Sequence, residues 1–323
     1  MGTISGTRRA FAIAALLSAL PVVAYAQQNV TRLVVGFPPG GTLDFVARAI
    51  AEALGKELGR HVIVDNKPGA NGAIAAEYVS RATPDGNTLW LTSVGAVAIN
   101  PALYPKLPYD PERDLVPVSL VVKNVEVLVV GPDSPYNTAA EFVAAARKGP
   151  TRLTLASSGI GSVPHLAIEL LNDTAKLNLL HVPYKGGMPA VTDVIGGHVG
   201  GYFSDIPGVI TFIRSGKVKP IGITARRRHP LLPQVMTFDE MGMPGVDADN
   251  WNALFAPKGT SIADAERMAA AVRRALATEA VKNSLESSGA ELAPSTPAEL
   301  AALLKKDSAK WARLIKDKSI KPE

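Results

Sequence analysis

One pattern narrows the folds open to this chain more than any other. Six short apolar runs each stop at a turn of small residues, and all but one lead into an amphipathic stretch. The first set of runs covers 33–35, 61–65 and 88–92, and the second covers 153–156, 179–182 and 200–203. Their turns are Pro38-Pro39-Gly40-Gly41, Asn66 to Gly72, Ser93-Val94-Gly95, Ser157 to Ser162, Pro183 to Gly187 and Ser204 to Pro207. Helices are predicted over 42–58, 73–82, 163–173, 188–195 and 208–214, and a further helix over 138–147 precedes the second set. Strands alternating with helices imply an α/β protein with parallel sheets, and ligand sites at the carboxyl ends of the strands.

The two sets are separated by 116–120 and 125–130, apolar and extended with no helix between them. This reads as a chain crossing from one lobe to another. After a strand at 218–224, the proline- and glycine-rich stretch 231–250 reads as a long return connection. A strand at 251–256 follows, then amphipathic helices at 263–278, 280–288, 297–306 and 309–318 that cover the first lobe.

Residues 1–26 read as a cleaved export signal. Arg8 and Arg9 form a basic start, 11–20 is an apolar core too short to span a bilayer, and Ala24-Tyr25-Ala26 is an A-x-A cleavage site before Gln27. Thr7 to Phe11 also loosely matches a twin-arginine signal, so both export routes stay open. The 323 residues suffice for two domains. There is no cysteine, which excludes disulfides, thiol catalysis and thiolate metal sites. No two of the 5 histidines fall at metal-ligand spacing, so no metal and no cofactor is expected. Two of the net +5 charges belong to Arg8 and Arg9, and the densest basic run, Arg226-Arg227-Arg228-His229, reads as a solvated loop. Nucleic acid is therefore not expected as a partner.

The glycine turns carry the chemistry. At Gly40-Gly41-Thr42 a strand, a turn and a helix start aim backbone N–H groups at one point, which holds an anion without a lysine or arginine. Asp44, in the first turn, caps N–H groups or fixes the loop. The run is not a phosphate fingerprint, lacking both G-x-G-x-x-G and G-K-[ST]. Ser157 to Ser162 offers hydroxyl and backbone donors before the next lobe's helix. Plain turn geometry explains each loop taken alone, and Ser162 also reads as an ordinary N-cap. No G-x-S-x-G or H-E-x-x-H is present, and His165 and His181 read as packing or capping residues.

Taken together, these motifs resemble the periplasmic solute-binding proteins of tripartite tricarboxylate transport systems, the Bug family. The carrying residues are Phe37 to Asp44 with Arg48, Asn66 to Gly72, Pro84-Asp85-Gly86, Ser158 to Ser162 with His165-Leu166, His181 to Gly187, and Trp251 with Ala256 to Thr260. The resemblance implies a type II-like periplasmic-binding-protein fold, with two α/β lobes joined by a two-strand hinge. On that plan one domain is 27–124 plus 229–323 and the other 125–228. It implies an extracytoplasmic protein, a monomer, that closes on a small carboxylate and hands it to integral-membrane transporter subunits.

Residue by residue, the resemblance assigns ligand contacts to Gly41 and Thr42, with Pro39 and Gly40 shaping their loop and Phe37 as an aromatic wall. Ala70 and Ser93 add contacts in the first lobe. Ser158, Gly161 and Ser162 serve the second lobe, with Tyr184, Lys185 and Asp205 on neighbouring loops. Asp205 either binds a ligand amine or caps the helix after it. Ala70-Asn71-Gly72-Ala73 departs from the usual glycine-rich pattern and brings Asn71 near the cleft. A ligand-loaded partner of a membrane sensor kinase would use the same binding chemistry and stays open beside transport; an exported enzyme fits less well.

Overall fold

The computed structural model describes residues 30–149 and 153–322. The expected export signal lies outside them. The first sheet is built on β1 (Val30–Val35), which pairs in parallel with β2 (His61–Asn66) and β3 (Thr88–Ser93). The helices between are α1 (Thr42–Leu58) and α2 (Ala73–Ser80). A wide turn at Gly95–Ile99 leads to the short helices α3 (Asn100–Leu103) and α4 (Pro111–Asp114), which the sequence pattern did not show. Helix α1 forms where it does for plain reasons. Leu43, Val46, Ala47, Ile50 and Leu54 recur on one face and are buried, and Gly59 ends it in the left-handed conformation at φ 66°.

Strand β4 (Leu115–Val130) runs without a break through both sheets. Its 16 residues reach about 50 Å. The two extended segments expected at 116–120 and 125–130 are this one strand. The polar pair between them does not interrupt it: Lys123 faces solvent, and Asn124 is buried, donating to Asn252 Oδ1 at 3.1 Å. Residues 115–125 of β4 pair antiparallel with β9 (Asp249–Pro257), which closes the first sheet against β3.

From Glu126 onward β4 pairs instead with β7 (Tyr202–Asp205) and β8 (Lys219–Ile223). Parallel strands β5 (Thr154–Ser157) and β6 (Leu180–Pro183) complete the second sheet. Its helices are α5 (Ala139–Lys148), α6 (Val163–Ala175), α7 (Gly187–Ile195) and α8 (Ile206–Arg214). The expected parallel pairing holds within the strand–helix units, whereas every pairing made by β4 and β9 is antiparallel. The result is an α/β protein of two lobes sharing one strand.

The return connection packs on the second lobe. Leu232 and Val235 are buried against Val127, Val209 and Ile223, and the Phe238 ring lies 5.9 Å from that of Phe203. Leu232, Val235 and Phe238, expected with the first lobe, therefore pack on the second, while Met243, Val246 and Ala248 share a core with residues of both lobes. After β9 come α9 (Ile262–Leu276), α10 (Glu279–Ser288), the short β10 (Glu291–Leu292) on β4, and α11 (Pro297–Asp317). Helix α11 replaces the two helices expected at 297–306 and 309–318. Asp307, which looked like a break, is buried inside it and accepts from Trp251 Nε1 at 2.7 Å. That bond fastens the C-terminal helix to β9.

Candidate functional site

The carboxyl ends of the strands in both sheets face one cleft of about 780 Å³, counting its mouth. Helix α1 enters it from the first lobe. Its N-cap is Gly41, which has no side chain to cap the helix, so the first-turn N–H groups have no partner inside the helix. Helix α7 enters from the second lobe and starts the same way, with Gly186 as an uncapped N-cap. Two helix N-termini thus bring unspent N–H groups and partial positive charge to the same cleft.

Asp44 does not compete for that position. Its Oδ2 accepts from Gly40 N at 3.0 Å and Arg48 Nε at 2.9 Å, and its Oδ1 from Asn66 Nδ2 at 3.0 Å. Burial works to raise its pKa, but these bonds and the Arg48 charge outweigh it and hold the carboxyl below the usual range. Asp44 is a strut that shapes the glycine loop.

Of the residues singled out in the sequence, Phe37, Pro39, Gly40, Gly41, Thr42, Ser93, Ser158, Ser162, Lys185 and Asp205 line the cleft. Thr42 Oγ1 donates to Asp205 Oδ1 at 2.5 Å, a direct bond from the start of α1 to the second lobe. Burial pushes the Asp205 carboxyl up to about 6.

Ala70, Gly161 and Tyr184 lie elsewhere. Ala70 is exposed at φ 47°, because the loop after β2 tucks Gly72 against Gly36 and turns Ala70 outward. Gly161 packs against Asn100 and Leu103, and its N–H donates to His165 Nδ1 at 3.2 Å. Tyr184 turns its hydroxyl onto Asp193 Oδ2 at 2.6 Å. Asn71 likewise points away from the cleft, donating to Asn100 Oδ1 at 2.9 Å.

The lining also holds residues that sequence reasoning missed. Gly187 and Met188 were passed over in favour of Tyr184 and Lys185 just before them. A signal was present, since Gly186-Gly187 opens an uncapped helix just as Gly40-Gly41 does. Tyr202, Ser204 and Asn252 come from strands whose inward faces need register to recognise. Glu126 is the missed residue with the plainest sign: a single acid inside the apolar run 125–130. It is fully buried, and its Oε1 accepts from Asn250 Nδ2 at 3.0 Å. Burial, with the Asp205 carboxylate beside it, raises its pKa well above the ordinary range.

The model of the tripartite tricarboxylate transporter family receptor matches residues 46–320. The chain belongs to that family. Solved structures agree over the whole fold of the receptor. It superposes on the periplasmic binding protein BugD with a TM-score of 0.86 at 33% identity, covering 91% of this chain and 99% of that one. MatC from Rhodopseudomonas palustris, solved with bound malate, gives 0.83 at 34% identity over 92% and 100% of the two chains. An R. palustris protein solved with adipate gives 0.87 at 30% identity over 91% and 98%. The receptor therefore has the two-lobed periplasmic-binding-protein fold.

Proposed function

We propose that this receptor captures a small organic carboxylate between its lobes in the periplasm and delivers it to integral-membrane transporter subunits. The observation that carries the reading is the pair of uncapped helix N-termini, α1 and α7, meeting across one cleft. A carboxylate there accepts N–H bonds from both lobes at once and so favours the closed form. The acids bound by MatC and by the R. palustris protein solved with adipate support the same class. The lobes are taken as 30–124 with 249–322, and 125–248. Among the described residues no helix is long and apolar enough to cross a membrane, which fits a receptor released into the periplasm after loss of 1–26. A monomer suffices, since both halves of the cleft come from one chain.

The contacts assigned to the ligand are backbone N–H groups at Gly41, Thr42, Gly187 and Met188, the Ser93 and Ser158 hydroxyls, and the Phe37 wall. The role is binding without turnover. The serine–histidine side-chain pair seen near these loops among the described residues, Ser157 Oγ at 2.6 Å from His181 Nε2, is sealed: Ser157 has no exposed surface.

The test is a thermal-shift and calorimetric screen of the mature, ligand-stripped protein against small carboxylic acids and their matched amides. Acid at about a hundred times its Kd stabilises by roughly 2.7 kcal/mol, and the amide gives no shift. Equal shifts with acid and amide, or none with any acid, overturn the reading.

A further inference from the structure

The cleft is chemically lopsided. At the end lined by α1 and α7 it presents hydrogen-bond donors. At the end lined by β4, β7 and β9 it presents two carboxylates, Glu126 and Asp205, and the Asn250 amide oxygen, with fewer donors than acceptors: Asp205 takes the Thr42 hydroxyl and the Gly208 N–H, and Glu126 takes one amide N–H from Asn250. Glu126 and Asp205 are register partners in the antiparallel pair β4–β7, so their side chains leave the sheet side by side on one face. Like charges placed so repel unless a counter-charge lies between them or one is neutral.

The local donors are already spent. Asn250 Nδ2 serves Glu126 Oε1, the Thr42 hydroxyl serves Asp205 Oδ1, and the Ser204 hydroxyl turns to the Asp205 carbonyl at 3.1 Å. Two buried acceptors remain without any hydrogen bond, Glu126 Oε2 and Asn250 Oδ1, and both residues line the cleft. Glu126 itself has no exposed surface. Among the described residues no arginine or lysine acts on either acid. Lys185, the cation in the lining, is exposed at the rim.

We propose that this end of the cleft is an ammonium site, so that the ligand is an aminocarboxylate rather than a plain acid. The inference rests on the carboxylate reading above and adds the second functional group. An ammonium carries three donors and one positive charge and no acceptor. It can give one bond to Glu126 Oε2, one to Asn250 Oδ1 and one to the Asp205 carboxylate, while separating the two acids. A second carboxylate at this end would set oxygen acceptors against oxygen acceptors. The raised Glu126 pKa fits the same picture, since it is that of a buried acid without its counter-charge.

The experiment is isothermal titration calorimetry of the mature protein, stripped of ligand, with matched pairs differing only in the amine. The probes are L-aspartate with succinate, L-glutamate with glutarate, and L-phenylalanine with 3-phenylpropionate. In each pair that binds, the amino member binds at least tenfold more tightly. In E126Q, which puts an amide N–H where the acceptor was, the preference falls to twofold or less, with the plain acid binding at least as tightly as it does to the wild type. Circular dichroism and the unfolding midpoint establish that the variant is folded, and the wild-type comparison stands without it. Plain acids binding as tightly as their amino counterparts, or E126Q keeping the full preference, overturn the ammonium site and leave the carboxylate reading intact. No binding by any member of the panel overturns the carboxylate reading, and this inference with it.

Discussion

The loops after β1 and β5 are built from the same vocabulary and do opposite jobs. Both follow a parallel strand, both are rich in glycine, and both end at a helix. In the loop after β1 the Asp44 side chain is held by Arg48 and Asn66 and takes just Gly40 N. The N–H groups beyond it stay available to a ligand. In the loop after β5 nearly every polar group is used inside the loop. Gly159 N donates to Ser157 Oγ, Gly161 N to His165 Nδ1, and Ser162 Oγ to the Gly159 carbonyl at 2.6 Å. Ser162 also caps α6 by accepting from His165 N. Beneath it His165 and His181 stack with centroids 4.1 Å apart. One loop is an open donor set, and the other is a sealed brace whose exposed remainder, chiefly Ser158, borders the cleft. Glycine- and serine-rich composition alone therefore does not identify a binding loop. What matters is whether a side chain has already claimed the N–H groups.

If the second loop is a brace, changing it should alter stability far more than affinity. Gly161 has φ 77°, and a Cβ there would lie 3.0 Å from both Asn100 Oδ1 and Leu103 Cδ2. Gly161→Val combines backbone strain with a clash and should cost about 3 kcal/mol or more in urea unfolding. A loss below about 1 kcal/mol would mean the loop yields, and the contrast with the first loop would fail.

The stacked imidazoles predict an acid-labile brace. Burial lowers the His165 pKa to about 3, with His181 adding to the effect, and burial lowers that of His181 to about 4. Unfolded, each sits near 6.5, so below that pH the unfolded chain binds more protons than the folded one. Stability is fully present above pH 6.5 and falls as pH drops toward 4, by roughly 3 kcal/mol from His181 alone. Asp205 and Glu126 act in the opposite sense, since their raised pKa values make the folded protein the better proton binder. The measurement is thus the difference between wild type and His181→Asn across pH 4–7. Parallel stability curves would show that the pair does not set acid lability.

The first loop should behave the other way. Thr42→Val removes the bond to Asp205 and leaves α1 otherwise intact. Affinity for an acid that binds the wild type should fall about tenfold, equivalent to about 1.4 kcal/mol, with little change in ligand-free stability. Equal losses in stability and affinity would make Thr42 a structural residue. The smallest effect belongs to Ser162→Ala. Losing this cap should lower stability by about 1 kcal/mol and leave affinity within about twofold. A larger affinity loss would place the Ser162 hydroxyl on the ligand and narrow the difference between the loops.

Much of this molecule was written in local sequence. The alternation of apolar runs and glycine turns determined the strand–helix units and their order, because period and turn chemistry act over neighbouring residues. Gly40-Gly41 before an apolar helix marked the first donor loop for the same reason. Tertiary structure decided the rest. Helix α11 passes through Asp307 unbroken because Trp251, distant in sequence, offers it a buried partner. Leu232, Val235 and Phe238 packed on the second lobe because Val127 and Phe203 offered their side chains cover. Ala70, Gly161 and Tyr184 left the cleft and Glu126 and Asn250 entered it. Which way a loop folds back, and which residues stand opposite across β4, are set by strand register and not by any residue's neighbours in the chain. The acceptor end of the cleft exists only because β4, β7 and β9 meet there.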